Sequence, residues 1–108
     1  MSLPSVEEIS VEQLHQWLAD GKSFHLIDVR EQNEWDQGHV AEAVLNPMSA
    51  FDVTALPEEP DATVVFMCRS GKRSMTVASH LANDGIVTGY NLAGGILAWA
   101  DAGYPVVR

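Results

Sequence analysis

Apolar residues along this chain alternate between two spacings. Val11, Leu14, Trp17 and Leu18 recur at three and four, the stripe of one helical face. Ser10 stands ahead of them as a cap, Gln13 completes a capping box, and Gly21 stops the helix. Phe24-His25-Leu26-Ile27-Asp28-Val29 reads as a strand, and residues 31–37 as a short helix ended by Gly38. Ala43-Val44-Leu45-Asn46 is a short strand stopped by Pro47. Residues 52–62 carry Pro57, Pro60 and several acids and read as a surface connection. Thr63-Val64-Val65-Phe66-Met67 is apolar on both faces, as a central strand of a parallel sheet must be. Residues 74–83 predict a helix with Val77, Ala78, Leu81 and Ala82 inward and Gly85 beyond its end. Residues 87–92 predict another strand. Residues 96–102 predict a last helix, closed by Gly103 with Pro105 after it.

Strands that alternate with helices imply right-handed crossovers and a parallel sheet covered on both faces, an α/β fold. Such sheets bind ligands at the carboxyl ends of their strands, and Cys68 sits at that end of the most apolar strand. The 108 residues suit one domain, and 46% apolar content suits a folded one. The start, Met1 to Glu8, has neither a basic nor an apolar stretch and reads as no secretory leader. No apolar run is long enough for a membrane span. A net charge of −9 argues against nucleic acid and anionic membranes as partners. The single cysteine excludes an internal disulfide and a paired-cysteine zinc site; no metal is expected, and the compartment reads as the reducing cytoplasm.

The charge is unevenly placed. Of six Lys and Arg residues, three lie in Cys68-Arg69-Ser70-Gly71-Lys72-Arg73, which the only cysteine opens. Ser70 and Gly71 let the backbone curl so that successive N–H groups point inward as an anion nest. The following helix start adds free N–H groups and a positive dipole end. With Arg69, Lys72 and Arg73 these features favour thiolate over thiol at Cys68. A lone cysteine after an apolar strand is often just a small core residue. The charged, glycine-bearing loop tips the reading toward a nucleophile that meets anions.

Two phosphate motifs fail on detail. A P-loop needs a glycine at position 66, which is Phe, and Ser or Thr after Lys72, where Arg73 stands. A cysteine phosphatase loop puts His before the cysteine and five residues before the arginine; here Met67 precedes, and four residues separate Cys68 from Arg73.

Val65-Phe66-Met67-Cys68-Arg69-Ser70-Gly71-Lys72-Arg73-Ser74 resembles the active-site loop of single-domain rhodaneses. Leu26-Ile27-Asp28-Val29-Arg30-Glu31, Glu34-Trp35 and Gly38-His39-Val40 resemble the family's first signature. Asn91-Leu92-Ala93-Gly94-Gly95-Ile96-Leu97-Ala98-Trp99 with Gly103-Tyr104-Pro105-Val106 resembles its C-terminal one. Glu42 departs from the family's usual glycine, at the turn before Ala43. The resemblance implies one rhodanese-like domain over residues 1–108, with about five parallel strands and helices on both faces. It implies a sulfurtransferase without a cofactor, in which Cys68 takes the outer sulfur of thiosulfate and carries it as a persulfide. The loop residues Arg69, Ser70, Gly71, Lys72, Arg73 and Ser74 would hold the small anionic donor. The acceptor would be cyanide or an external thiol, a thiol protein included, because the chain has no second cysteine to discharge the persulfide. A sulfur-relay carrier or binding module is the alternative, and a phosphatase or arsenate reductase, with a loop one residue longer, fits less well.

Other polar residues read more plainly. His39 is expected to be a structural hydrogen bonder rather than a base for Cys68. Asp28 and Arg30 are expected to form an ion pair beside the site. Glu31, Glu34 and Asp36 read as a solvated helix face. Gly94-Gly95 reads as a close backbone approach, and Trp17, Trp35 and Trp99 as packing anchors. His15, His25 and His80 show no ligand spacing.

Overall fold

The computed structural model describes residues 6–59 and 61–108. Residues 1–5, part of the stretch read for a leader, and Pro60 of the acidic connection lie outside the described residues. In chain order the elements are β1 (Glu7–Ile9), α1 (Val11–Ala19), β2 (His25–Asp28), α2 (Gln32–Gln37), β3 (Ala43–Leu45), β4 (Val64–Met67), α3 (Lys72–Asn83), β5 (Tyr90–Leu92) and α4 (Gly95–Asp101). The five strands form one sheet in the order β1-β5-β4-β2-β3, and every pairing is parallel. The expected α/β fold is present.

β4 is central, and each of its residues is buried. Its side chains divide by the two-residue period of a strand. Val65 and Met67 join Leu14, Leu26, Leu92 and Trp99 in one core. Val64, Phe66 and Cys68 join Ile27, Val29, Val77, Ala78 and Leu81 in the other. α1 and α4 therefore cover one face and α3 the other. A fully buried Phe66 or Leu14 contributes about 2 kcal/mol through removal of apolar area from water.

Apart from one-residue shifts at element ends, the strands and α-helices differ from the expectations in three places. β1 is an additional edge strand, paired with β5 from Glu7↔Tyr90 to Ile9↔Leu92. Only Ile9 of its three residues is buried, so it has no apolar period to see. β5 begins at Tyr90 rather than at position 87, because the chain leaving α3 folds back on the helix. Ile86 N and Val87 N both donate to Leu81 O, at 2.9 and 3.4 Å. α3 begins at Lys72 rather than Ser74, for a reason that lies in the site. The turn before Ala43 closes with Ala43 N donating to Val40 O at 3.0 Å, and Glu42 needs no glycine-like backbone there. Among the described residues, no helix is long and apolar enough to cross a membrane.

Candidate active site

Cys68 follows the last residue of β4 at the carboxyl rim of the sheet, and it is 1% exposed. The chain then turns through Arg69 and Ser70 to Gly71, the N-cap of α3, whose φ of +97° is left-handed. A side chain there is disfavoured twice. The backbone angle suits glycine, and a Cβ would stand 3.2 Å from Leu92 O. Gly71 has no side chain to cap the helix, and the Cys68 sulfur takes that part. Gly71 N donates to Sγ at 3.1 Å and Ser74 Oγ is 3.3 Å from it. A helix whose free N–H groups find an acceptor outside its own sequence starts two residues earlier than the side-chain pattern foretells.

These contacts set the chemistry of the thiol. Burial pushes the Cys68 pKa up, and hydrogen bonds from the Ser74 hydroxyl and from the N–H groups of Ser74, Gly71 and Ser70 outweigh it, so the net direction is down. The main downward causes are neutral donors rather than the cations of the loop. Arg69 and Lys72 are exposed and in no ion pair among the described residues. Arg73 turns to α2 and makes a two-pronged contact with Glu34, Nη1 to Oε1 at 2.7 Å and Nη2 to Oε2 at 2.8 Å. Its pKa is raised chiefly by that contact, with a smaller part from the Cys68 charge.

Glu34 is thus half-buried and paired across 39 positions of sequence, where a solvated face was expected. It also closes a capping box, accepting from Glu31 N at 3.1 Å. Arg73 holds its carboxyl down to about 2, against an ordinary 4.5. A depressed pKa stabilises the fold above the ordinary value, and that contribution is lost as pH falls through 4.5 toward 2. Solvent screening limits the pair to about 1 kcal/mol. Arg73→Ala is therefore expected to cost about 1 kcal/mol at neutral pH in urea unfolding and distinctly less near pH 2. A cost that does not change with pH would contradict the pairing.

The Asp28 and Arg30 side chains meet as an ion pair at the end of β2, with 0% and 6% side-chain exposure. Arg30 Nη2 donates to Asp28 Oδ2 at 2.8 Å and to Gly38 O at 2.8 Å, and Nη1 donates to Glu34 O at 3.3 Å. The pair ties β2 to the middle of α2 and to its C-cap. His39 stacks on Trp35 at 3.7 Å and its Nδ1 donates to Trp35 O at 3.1 Å. No hydrogen bond joins His39 to Cys68 among the described residues. His15 lies on Tyr104, and His25 and His80 are exposed. Trp99 is buried, and its Nε1 donates to Pro105 O at 2.8 Å.

α4 grips the loop from the far side. Ile96 N donates to Cys68 O at 2.9 Å and Leu97 N to Arg69 O at 3.1 Å. A Cβ on Gly95 would drive into both of those carbonyls, so Gly94-Gly95 is the close backbone approach that was expected. The loop is sorted by this grip. The carbonyls of Cys68 and Arg69 face α4, and the N–H groups of Ser70, Gly71 and Ser74 face the sulfur. Asn91, fully buried on β5, touches both Gly71 and Ser74; it has no assigned part in the sequence reading, although an amide between two apolar strand positions is a signal of its own. Among the described residues, no group of three His, Cys, Asp or Glu could hold a metal ion.

The arrangement is a buried thiol with depressed pKa among hydrogen-bond donors, suited to nucleophilic attack and to holding an added anionic atom. Comparison with known proteins agrees with the motifs. The family model of the rhodanese-like domain matches residues 10–102. A sulfurtransferase of Allochromatium vinosum is 39% identical over 102 residues, covering 94% of this chain and 95% of its own. The crystal structure of a rhodanese-related protein from Thermoplasma volcanium superposes with a TM-score of 0.80 at 28% identity, covering 94% of this chain and 97% of that one. A rhodanese-like domain protein of Staphylococcus aureus superposes equally well, TM-score 0.80 at 26% identity, over 95% of this chain and 100% of that one. In sequence motif, family match and fold alike, the chain belongs to the rhodanese-like domain family.

Proposed function

We propose that this protein is a sulfurtransferase that takes the sulfane sulfur of thiosulfate onto Cys68 and passes it to an external thiol or to cyanide. The observation that carries the reading is the sulfur at the head of α3, facing the Gly71 N–H and the Ser74 hydroxyl. The Cys68 thiolate attacks the outer sulfur of thiosulfate. A bond forms between the two sulfurs, the S–S bond of thiosulfate breaks, and its electron pair leaves on sulfite. The persulfide anion is then stabilised by the N–H groups of Ser70, Gly71 and Ser74, while α4 holds the carbonyls of Cys68 and Arg69 turned away. The acceptor nucleophile attacks the outer sulfur of the persulfide, and the electron pair of the broken bond restores the Cys68 thiolate. Sulfur changes partners and no outside oxidant or reductant is consumed. No metal or organic cofactor takes part in these steps.

Among the described residues Arg69 and Lys72 are the loop's unpaired cations, and their place is in the approach of the donor dianion. Removing either is expected to raise the KM for thiosulfate by about 2–5-fold, with less effect at high salt and on the thiol-accepting half-reaction. Steady-state kinetics at two ionic strengths measures this. Equal effects on both half-reactions would remove these residues from donor binding.

Intact-protein mass spectrometry after incubation with thiosulfate, with and without later cyanide, tests the cycle. Gain of one sulfur atom that cyanide removes is the expected result. No gain, with Cys68 still open to alkylation, would overturn thiosulfate as donor.

A further inference from the structure

The contacts behind Cys68 contain one hydroxyl proton and two claimants for it. Ser74 Oγ lies 2.5 Å from Asn91 Oδ1 and 3.3 Å from Cys68 Sγ. The amide of Asn91 is fixed in orientation by its other end. Nδ2 donates to Gly71 O at 3.0 Å and to Glu8 Oε2 at 3.2 Å, both of which only accept. Oδ1 must therefore face Ser74, and because an amide oxygen only accepts, Ser74 must supply the proton of that 2.5 Å bond. While it does so, the Ser74 oxygen presents lone pairs to the sulfur, which suits an S–H donor. A thiolate asks the reverse. It needs the Ser74 proton for itself, and Asn91 Oδ1, 0% exposed, is then left without its donor.

We propose that Asn91 is a positioning residue for Cys68: it decides which way the Ser74 hydroxyl donates, and so how much of that bond the sulfur receives. The thiol form and the thiolate form hold the proton in opposite places. Asn91 thereby opposes ionisation that the N–H groups of the loop promote, and it takes the proton back once Sγ has become the inner, uncharged sulfur of a persulfide. Asn91 sits where it does because β5 pairs with both β4 and β1, through Phe66↔Asn91 and Glu8↔Asn91.

The charged groups on the elements around Cys68 leave this relay as the local variable. Arg73 of α3 is paired with Glu34 of α2, and Asp28 is paired with Arg30 on β2. Lys72 and Arg69 are exposed, and Glu8 of β1 reaches the sulfur only through Asn91.

The test is the pH dependence of Cys68 alkylation by iodoacetamide in the full chain. Asn91→Ala frees the Ser74 proton for the sulfur, and the midpoint is expected to fall by about 0.5–1 pH unit. A merely structural role predicts the opposite sign, because losing the bond to Gly71 O loosens the Gly71 N–H that lowers the midpoint. In a Ser74→Ala background Asn91→Ala is expected to change nothing, since no proton remains to redirect. A rise in the midpoint, no change, or an equal fall in both backgrounds would overturn the proposal. A mutation-free reading covers the case in which Asn91→Ala does not fold. In isotope-labelled wild-type protein the Asn91 side-chain carbonyl carbon is expected to shift with the same midpoint as the thiol, and a carbon that stays still through that titration overturns the relay. The inference rests on Cys68 being the reactive thiol of the proposed cycle. Both measurements read the thiol itself, so a chain that shows these shifts and takes no sulfur from thiosulfate separates the two.

Discussion

Cys68→Ala is expected to lower sulfur transfer at least about a thousandfold, to the background of the uncatalysed reaction, because the chain holds no other thiol to carry the persulfide. The fold is expected to survive with a modest loss. The sulfur occupies the capping place of α3, so its removal leaves the buried Gly71 N–H short of an acceptor, a cost of about 1–2 kcal/mol, while the Ser74 hydroxyl keeps Asn91 Oδ1. Cys68→Ser is expected to lose activity as completely and stability less, because the oxygen still accepts. Turnover assays paired with urea unfolding of both variants separate the two roles of one atom. Turnover that persists in either variant would end the assignment of Cys68 as nucleophile. Equal stability of alanine and serine variants would end its assignment as a cap.

Arg30→Ala is expected to destabilise the protein by about 3–5 kcal/mol, since it leaves the fully buried Asp28 carboxylate without its partner. That is a large share of the roughly 5–15 kcal/mol typical of a whole domain. The loss spreads toward the site. Arg30 also holds Glu34 O and Gly38 O, and α2 presents the Glu34 carboxylate that anchors Arg73 at the head of α3. The double variant Asp28→Leu with Arg30→Met is expected to be markedly more stable than Arg30→Ala, because no charge is left buried alone. Thermal and denaturant unfolding of the three proteins measures this, and a loss below about 1 kcal/mol for Arg30→Ala would show the carboxylate to be solvated.

What the sequence disclosed followed from local pattern. The β4 run, the four amphipathic or capped helices and the Cys68 loop each announce themselves within a few residues, through apolar period, glycine position and clustered charge. β1 was silent because two of its three residues are exposed glutamates and its partner, β5, lies about 80 positions away. The Glu34–Arg73 pair and the Ser74–Asn91 contact were silent for the same reason, being made across 39 and 17 positions by residue types that ordinarily face water. The cations of the loop were plain to see, and they overstated their part. Arg73 is neutralised by a residue from another helix, and the strongest downward causes on the Cys68 pKa are a hydroxyl and backbone N–H groups, which a one-letter string shows least.

The shared direction of the strands leaves the protein with two unlike ends. Cys68, the heads of α3 and α4 and the Asp28–Arg30 pair gather where the strands finish. Residues 84–89, which lead into β5, lie at the other end, largely exposed and outside every contact described for the sulfur. A tether, dye or fused partner grafted at that end would hold the molecule by its blunt side and turn the Cys68 rim of the sheet outward, so the same chain lends itself to oriented immobilisation.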